Sequence, residues 1–327
     1  MNIPKDLNSS SISSEDRERV SFVVACYHSE KSLPGVVEDI FRALPKDRFE
    51  VELILVDDGS SDGTFRVIRE IASDNRGVKG VRLARNFGQQ HAMLAGFREC
   101  SGSIVVYCDD DGQSPVKDIA KLIDPILGGE EYDMVWAAYH TPNGSMLKRL
   151  GSYGNELMAR WLLKKPKDLV FGNLWACRRF VIDEVIKCDN PFPYLGGMFL
   201  RVTNRMGNVY LDRGRSDYEE TTYSFRKLLS VWLNGFTAYS LIPLRLASVA
   251  GFVFALCGFL YMGYTVVYKL LHPEVQMGYS SLMSVMLFMF GIVLGILGIM
   301  GEYIGRIYLN INKLPQSVIR ETVESEE

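Results

Sequence analysis

Three consecutive carboxylates, Asp109-Asp110-Asp111, run into Gly112, Gln113, Ser114 and Pro115 and form the densest chemical feature of the sequence. Acids this close repel one another, and a cation held between them relieves the repulsion. If the chain stays extended, alternation sends Asp109 and Asp111 to one side. Hard oxygen donors of this kind suit Mg2+ or Mn2+. A second acidic group, Asp57-Asp58, heads the turn Gly59-Ser60-Ser61-Asp62-Gly63-Thr64. Carboxylates can accept from ribose hydroxyls or a base N–H, or hold a metal on a diphosphate. Together the two groups suggest a metal-bridged nucleotide diphosphate. A bare Asp triplet by itself reads as a solvated acidic turn, so what precedes it decides between the readings.

What precedes it is Ser103-Ile104-Val105-Val106-Tyr107-Cys108, short, β-branched and uncharged, which reads as a buried strand. The Asp57-Asp58 pair likewise follows a strand at 50–56. Further strands are expected at 20–25, 78–84 and 133–138, and helices at 32–44, 65–72, 89–99 and 118–127. Strands alternating with helices predict an α/β domain with a mostly parallel, Rossmann-like sheet. In such sheets ligands bind beyond the carboxyl ends of the strands, where both acidic groups fall. No GxGxxG follows the first strand and no GxxxxGK[ST] occurs, which argues against a dinucleotide fold and a P-loop.

A net charge of -3 over 327 residues leaves no electrostatic footprint for nucleic acid. The six cysteines show no CxxC pair or zinc spacing, which suits free thiols in a reducing setting. Residues 1–19 are polar and serine-rich and read as a disordered lead-in without a signal peptide. No charge occurs from Leu246 to Tyr268, and none from Val275 to Gly301. Each run can cross a hydrocarbon core of about 30 Å, which predicts two transmembrane helices. The expected division is therefore a catalytic domain at 20–220, an interfacial amphipathic helix at 221–243, a transmembrane hairpin at 244–306 and a cytoplasmic tail at 307–327. Arg226, Lys227 and Arg245 flank the hairpin on one side and Arg306, Lys313 and Arg320 on the other. The positive-inside rule then puts the domain and both termini in the cytoplasm, on a multi-pass protein of the inner membrane.

Several motifs carry a resemblance. They are Leu55-Val56-Asp57-Asp58-Gly59-Ser60, Ala84-Arg85-Asn86-Phe87-Gly88-Gln89, Asp109-Asp110-Asp111-Gly112-Gln113, Tyr223-Ser224-Phe225-Arg226-Lys227-Leu228 and Gly301-Glu302-Tyr303-Ile304-Gly305-Arg306. In this order, over about residues 20–315, the chain resembles glycosyltransferase family 2 with the GT-A fold. Within it the chain is similar to the polyisoprenyl-phosphate glycosyltransferases. The resemblance implies an inverting transfer of a sugar from a UDP- or GDP-linked donor to a polyisoprenyl phosphate such as undecaprenyl phosphate. It implies a homo-oligomer. Ala25, Tyr27, Asp57, Asp58, Arg85, Asp109 and Asp110 would contact the nucleotide sugar, and Asp111 with Gln113 would hold the divalent cation. Asp109, Asp111 and Asp168 would form the catalytic set.

Two departures stand out. The family's Pro-x-Tyr-Asn-Glu is Ala25-Cys26-Tyr27-His28-Ser29 here, with Glu30 one position on. The expected phosphate-binding lysine is Thr222. Candidate replacements are Arg213 and Arg215, closest in sequence, with Arg178, Arg179, Arg201 and Arg205. Two rival readings are a processive polysaccharide synthase and a non-catalytic membrane subunit. The first wants Gln-x-x-Arg-Trp, and Leu157 stands in place of that glutamine before Arg160-Trp161.

Overall fold

Strand β1 (Glu18–Cys26) is buried from Val20 to Cys26, an apolar run broken only by Ser21. The computed structural model describes residues 17–129, 132–139, 165–166, 168–191, 193–212, 242–272, 279–312 and 315–325. Arg213, Arg215, Thr222, the Leu157–Trp161 segment and nearly all of the expected interfacial helix lie outside them.

After β1 come α1 (Leu33–Ala43), β2 (Phe49–Asp57), α2 (Thr64–Asp74), β3 (Val78–Leu83), α3 (Gln89–Glu99) and β4 (Ile104–Asp109). Then follow α4 (Ala120–Leu127), β5 (Met134–Tyr139), β6 (Trp175–Arg178), α5 (Arg179–Val185), α6 (Leu195–Val202) and β7 (Met206–Leu211). All strands among the described residues join one eight-stranded sheet in the order β7-β5-β6-β4-β1-β2-β3-β8, where β8 is Ile319–Glu324. β1 lies parallel to both β2 and β4, and β2 parallel to β3, so these four strands point their carboxyl ends the same way. β6 is antiparallel to β4 and β5, and β8 is antiparallel to β3.

Alternation along each strand divides the core in two. Phe22, Val24, Leu53, Leu55 and Val106 meet α1, α2 and α4 on one face. Val23, Ile54, Val56, Val105 and Tyr107 meet α3, α5 and α6 on the other. α3 comes closest: a Cβ at Gly96 would lie 2.6 Å from Val23 Cγ1 and 3.0 Å from Val56 Cγ2. That spacing admits only a hydrogen, and Ala92 to Phe97 are all buried there.

The C-terminal segment adds a strand the sequence does not announce. β8 reads Ile-Arg-Glu-Thr-Val-Glu and pairs with the β3 edge. Arg69 of α2 bonds Glu321 at 2.6 Å, and Lys79 lies 3.9 Å from Glu324.

A second unit holds two long helices, α7 (Ile242–Leu271) and α8 (Tyr279–Ile311). Within it Phe254 meets Phe288 edge to face at 5.8 Å. Among the described residues one segment, Phe288–Leu309, is long and apolar enough to cross a membrane by length and composition. A shorter apolar run, Val249–Tyr261, lies in α7. In α8, methyls added at Gly291, Gly295, Gly298, Gly301 and Gly305 would meet nothing within 4 Å among the described residues.

Candidate functional site

The central strands end level with one another. Cys26 is in register with Asp57, and Ala25 with Asp109, so both acidic groups emerge at one edge of the sheet on either side of β1. The Tyr27 N–H reaches across to Asp110 Oδ2 at 3.0 Å, and the Asp58 N–H donates to the Cys26 carbonyl at 2.9 Å. The sequence-derived cluster is thus assembled by backbone register rather than by long side chains.

Each acid has a distinct setting. Asp57 is fully buried; its Oδ1 accepts the Ser60 N–H at 2.9 Å and its Oδ2 lies 3.4 Å from Arg82 Nε. That Oδ2 has no hydrogen-bond partner. Asp58 turns away from the strand end and accepts the Phe87 and Gly88 N–H groups at 2.8 and 2.9 Å. Burial raises its pKa, and those two hydrogen bonds oppose the rise. Asp58 therefore holds the Arg85–Gly88 loop. Gly59 makes that possible: its φ is +68°, and a Cβ there would lie 2.5 Å from the Arg85 carbonyl carbon. In that loop the Arg85 guanidinium sits 4.5 Å over the Phe87 ring.

Asp109 is the most constrained. Its Oδ1 accepts from the Tyr107 hydroxyl at 2.9 Å and from Gln89 Nε2 at 3.0 Å. Gln89 also donates to the Tyr107 oxygen at 2.7 Å. Burial pushes Asp109 up to about 6; the Asp111 and Asp110 charges add to this, while the Tyr107 and Asn173 hydrogen bonds oppose it. Burial raises Asp110 as well. Asp111 is exposed, and its Oδ1 accepts the Gln113 N–H at 2.9 Å across Gly112, whose φ is +71°. Among the described residues no group of three or more His, Cys, Asp or Glu is arranged to hold a metal by itself. Asp111 and Gln113 offer a small, open oxygen set. That fits a cation which takes one or two protein ligands and completes its shell with substrate phosphates and water.

Tyr27 is 49% exposed and stacks on His28 with ring centroids 4.1 Å apart. His28 has φ +58°, and its Nε2 lies 3.0 Å from the Ser61 hydroxyl. Glu30 does not reach the strand end; it accepts the Gly63 N–H at 3.0 Å and pairs with Arg66 at 2.9 Å.

Other sequence candidates go elsewhere. Arg178 pairs opposite Ile104, at the start of β4 and so at the far end of the strand from Asp109. Its guanidinium donates to the Ile126 and Gly129 carbonyls and lies 3.8 Å from Asp133. Arg179 is committed to Asp183 and the Cys100 carbonyl. Both guanidiniums are engaged by protein groups here, Arg178 by carbonyls near the start of β4 and Arg179 by Asp183 and a carbonyl. Arg201 is exposed in the last turn of α6. Asp168 is exposed beside Val170, which bonds Asn208 of β7; β5 and β6 lie between β7 and β4. No contact joins it to Asp109 among the described residues. Gln89, Tyr107 and Asn173 are the site residues sequence reasoning passed over. Tyr107 carried a signal, being an aromatic hydroxyl two positions before Asp109 and hence on its face.

Comparison with known proteins adds to the geometry. Residues 21–186 match glycosyl transferase family 2, and residues 242–307 match the GtrB C-terminal hairpin. The undecaprenyl-phosphate 4-deoxy-4-formamido-L-arabinose transferase of Proteus mirabilis is 31% identical over 319 residues, covering 94% of this chain and 95% of its own. Its counterpart from Pectobacterium carotovorum is 32% identical over 317 residues, covering 95% of each. Among solved structures, glucosyl-3-phosphoglycerate synthase from Mycobacterium tuberculosis with Mn2+, UDP-glucose and phosphoglyceric acid superposes with a TM-score of 0.48. It is 21% identical, with 67% of this chain and 78% of that chain covered.

Proposed function

The chain belongs to glycosyltransferase family 2, and from that membership we propose that it moves a sugar from a nucleotide diphosphate donor onto undecaprenyl phosphate. The observation that carries the proposal is the convergence of Asp57, Asp109 and, just beyond the strand, Asp111 at the carboxyl ends of the two parallel strands that flank β1. It occurs in a chain whose curated relatives, named as undecaprenyl-phosphate sugar transferases, align over nearly its whole length.

In this reading Tyr27 and Asp57 receive the nucleoside, and Asp109 faces the ribose or the sugar. Ala25 and Asp110 form the strand-end floor, while Asp58 acts through the Arg85 loop. Asp111 and Gln113 would hold a divalent cation, Mg2+ or Mn2+, which would supply positive charge to the departing diphosphate. An acceptor phosphate oxygen forms the new bond to the anomeric carbon as the bond from that carbon to the donor's diphosphate breaks, with inversion. The nucleoside diphosphate carries away the electron pair. A phosphate monoester has its second pKa near about 6 and is already an anionic nucleophile at neutral pH. No general base is required, so Asp168 need not reach the site. Cationic stabilisation of the acceptor falls to Arg213, Arg215 or Arg201.

The two long helices serve as a two-span anchor in the inner membrane, with the sheet domain on the cytoplasmic side. The donor is UDP- or GDP-linked, and the working form is a homo-oligomer. The test is purified protein with undecaprenyl phosphate, Mn2+ and a panel of UDP- and GDP-sugars, read by mass spectrometry. A sugar–phosphate lipid from one donor supports the proposal. Nucleotide release with no such lipid contradicts it.

A further inference from the structure

The segment after the hairpin lies outside both family matches, which end at residues 186 and 307. It nevertheless contributes one of the few buried polar side chains of the sheet unit, Gln316, which is 7% exposed. Three of the four hydrogen bonds its amide can make are made. Oε1 accepts from Arg98 Nη2 at 2.7 Å, and Nε2 donates to the Cys188 and Asn190 carbonyls at 2.9 and 2.8 Å. Arg98 stands in the last turn of α3, so Gln316 bridges that helix to the segment after α5.

The same segment grips the other end of α3. His91 Nε2 lies 3.2 Å from the Pro191 carbonyl oxygen, and the Leu195 N–H donates to Gln90 Oε1 at 2.9 Å. One residue earlier on α3 is Gln89, which donates to Asp109 and Tyr107. The helix is thus held at its C-terminal turn by Gln316 directly, and at its N-terminal turn by the segment that Gln316 holds. Its middle has no slack against β1 and β2, because Gly96 is packed on Val23 and Val56. A helix fixed along its core can still shift at its ends, and the end that matters carries the Asp109 ligand.

We propose that Gln316 is a positioning residue for Asp109: its amide locks residues 188–191 onto α3 and thereby sets Gln89 against the carboxylate. The inference rests on the reading of Asp109 as a donor-facing group. It assigns a role in the reaction to a side chain more than two hundred positions away.

Chemistry supplies a separating variant. Gln316→Glu keeps an acceptor for Arg98 and the side-chain shape but replaces both donated hydrogen bonds with lone pairs facing carbonyls. Glu321→Ala, on β8 itself, breaks the Arg69 pair and touches neither residues 188–191 nor α3. Gln316→Ala removes all three bonds and serves if the glutamate variant does not fold.

Two readouts decide. Amide exchange at His91 and Ala92, whose N–H groups bond the Gly88 carbonyl, is measured in the full chain without acceptor. It should rise about tenfold in Gln316→Glu and stay at the wild-type rate in Glu321→Ala. In the transfer assay, kcat should fall about tenfold in Gln316→Glu with donor KM moving less than about threefold. Equal exchange at His91 in Gln316→Glu and wild type overturns the proposal. So does an equal kcat loss in Glu321→Ala, which would make the whole strand a structural brace. If no sugar lipid forms with any donor, the transferase reading fails while exchange still judges Gln316.

Discussion

Tyr107 and Asp109 stand two residues apart on one face of β4, joined by a 2.9 Å hydrogen bond from the phenol to Oδ1. The Tyr107 ring stacks on Trp175 at 5.7 Å and is buried, so the phenol cannot swing away. A buried tyrosine with a fixed partner is a device for orienting that partner.

Tyr107→Phe should therefore keep the ring packing and lose the donor. The expected cost is about 1 kcal/mol in stability, with turnover down about tenfold. Urea unfolding and the transfer assay check the two figures. Gln89→Leu should produce a similar kinetic loss with less effect on stability, because Gln89 is exposed at the start of α3.

The Asp58 carboxylate carries the Arg85–Gly88 loop on two backbone N–H groups. Asp58→Asn presents an NH2 to one of those donors. It should destabilise the protein by about 1–3 kcal/mol and raise donor KM more than it lowers kcat. Gly59→Ala should be worse, about 2–4 kcal/mol, since it adds a Cβ against Arg85 at positive φ. Thermal melts of the two variants give the order.

Glu52 makes stability depend on pH at the opposite end of the sheet. Burial alone would raise its carboxyl, but hydrogen bonds from Ser101 and Ser21 and the Arg19 charge together hold it below the ordinary glutamate value. A depressed folded pKa stabilises above the unfolded value, about 4.3, and that stability is lost as pH falls through the folded pKa. Melting temperature should drop more steeply below about pH 4 in wild type than in Glu52→Gln. Parallel curves would mean the Ser21–Glu52–Ser101 cluster has no role in acid stability.

Asp111 is exposed and makes a local turn only, so Asp111→Asn should leave the melting temperature within about 2 °C of wild type. Calorimetric titration of Mn2+ with the nucleoside diphosphate present should show binding to wild type weakened at least about tenfold in the variant. Equal affinity would remove Asp111 from the cation site.

Much of this was readable in the chain. Helix α3 begins at Gln89 and ends at Glu99 as its pattern predicts, and each acidic group directly follows an apolar run, Leu53–Val56 in β2 and Ile104–Cys108 in β4. β8 was hidden because its residues alternate without a buried face; it is an edge strand held by Arg69 and by the β3 ladder, and charge reads as a tail. The fates of Arg178 and Glu30 were hidden for another reason. Each has the right chemistry for a ligand, and only register shows that one lies at the wrong end of β4 and that the other is spent on Gly63 and Arg66. Gln316 could not have been found at all, since two of its partners are backbone carbonyls that any sequence supplies and the third, Arg98, is 218 positions away.

The central claim is that a lipid phosphate, activated by its own charge, is the nucleophile. The most direct measurement compares undecaprenyl phosphate with undecaprenol as acceptor for the wild-type protein and Asp111→Asn, scoring lipid-linked sugar by mass. Product from the phosphate alone, and lost in the variant, is the result predicted. Product from the alcohol at a comparable rate would contradict the account, because the acceptor's own negative charge would then not be what activates it.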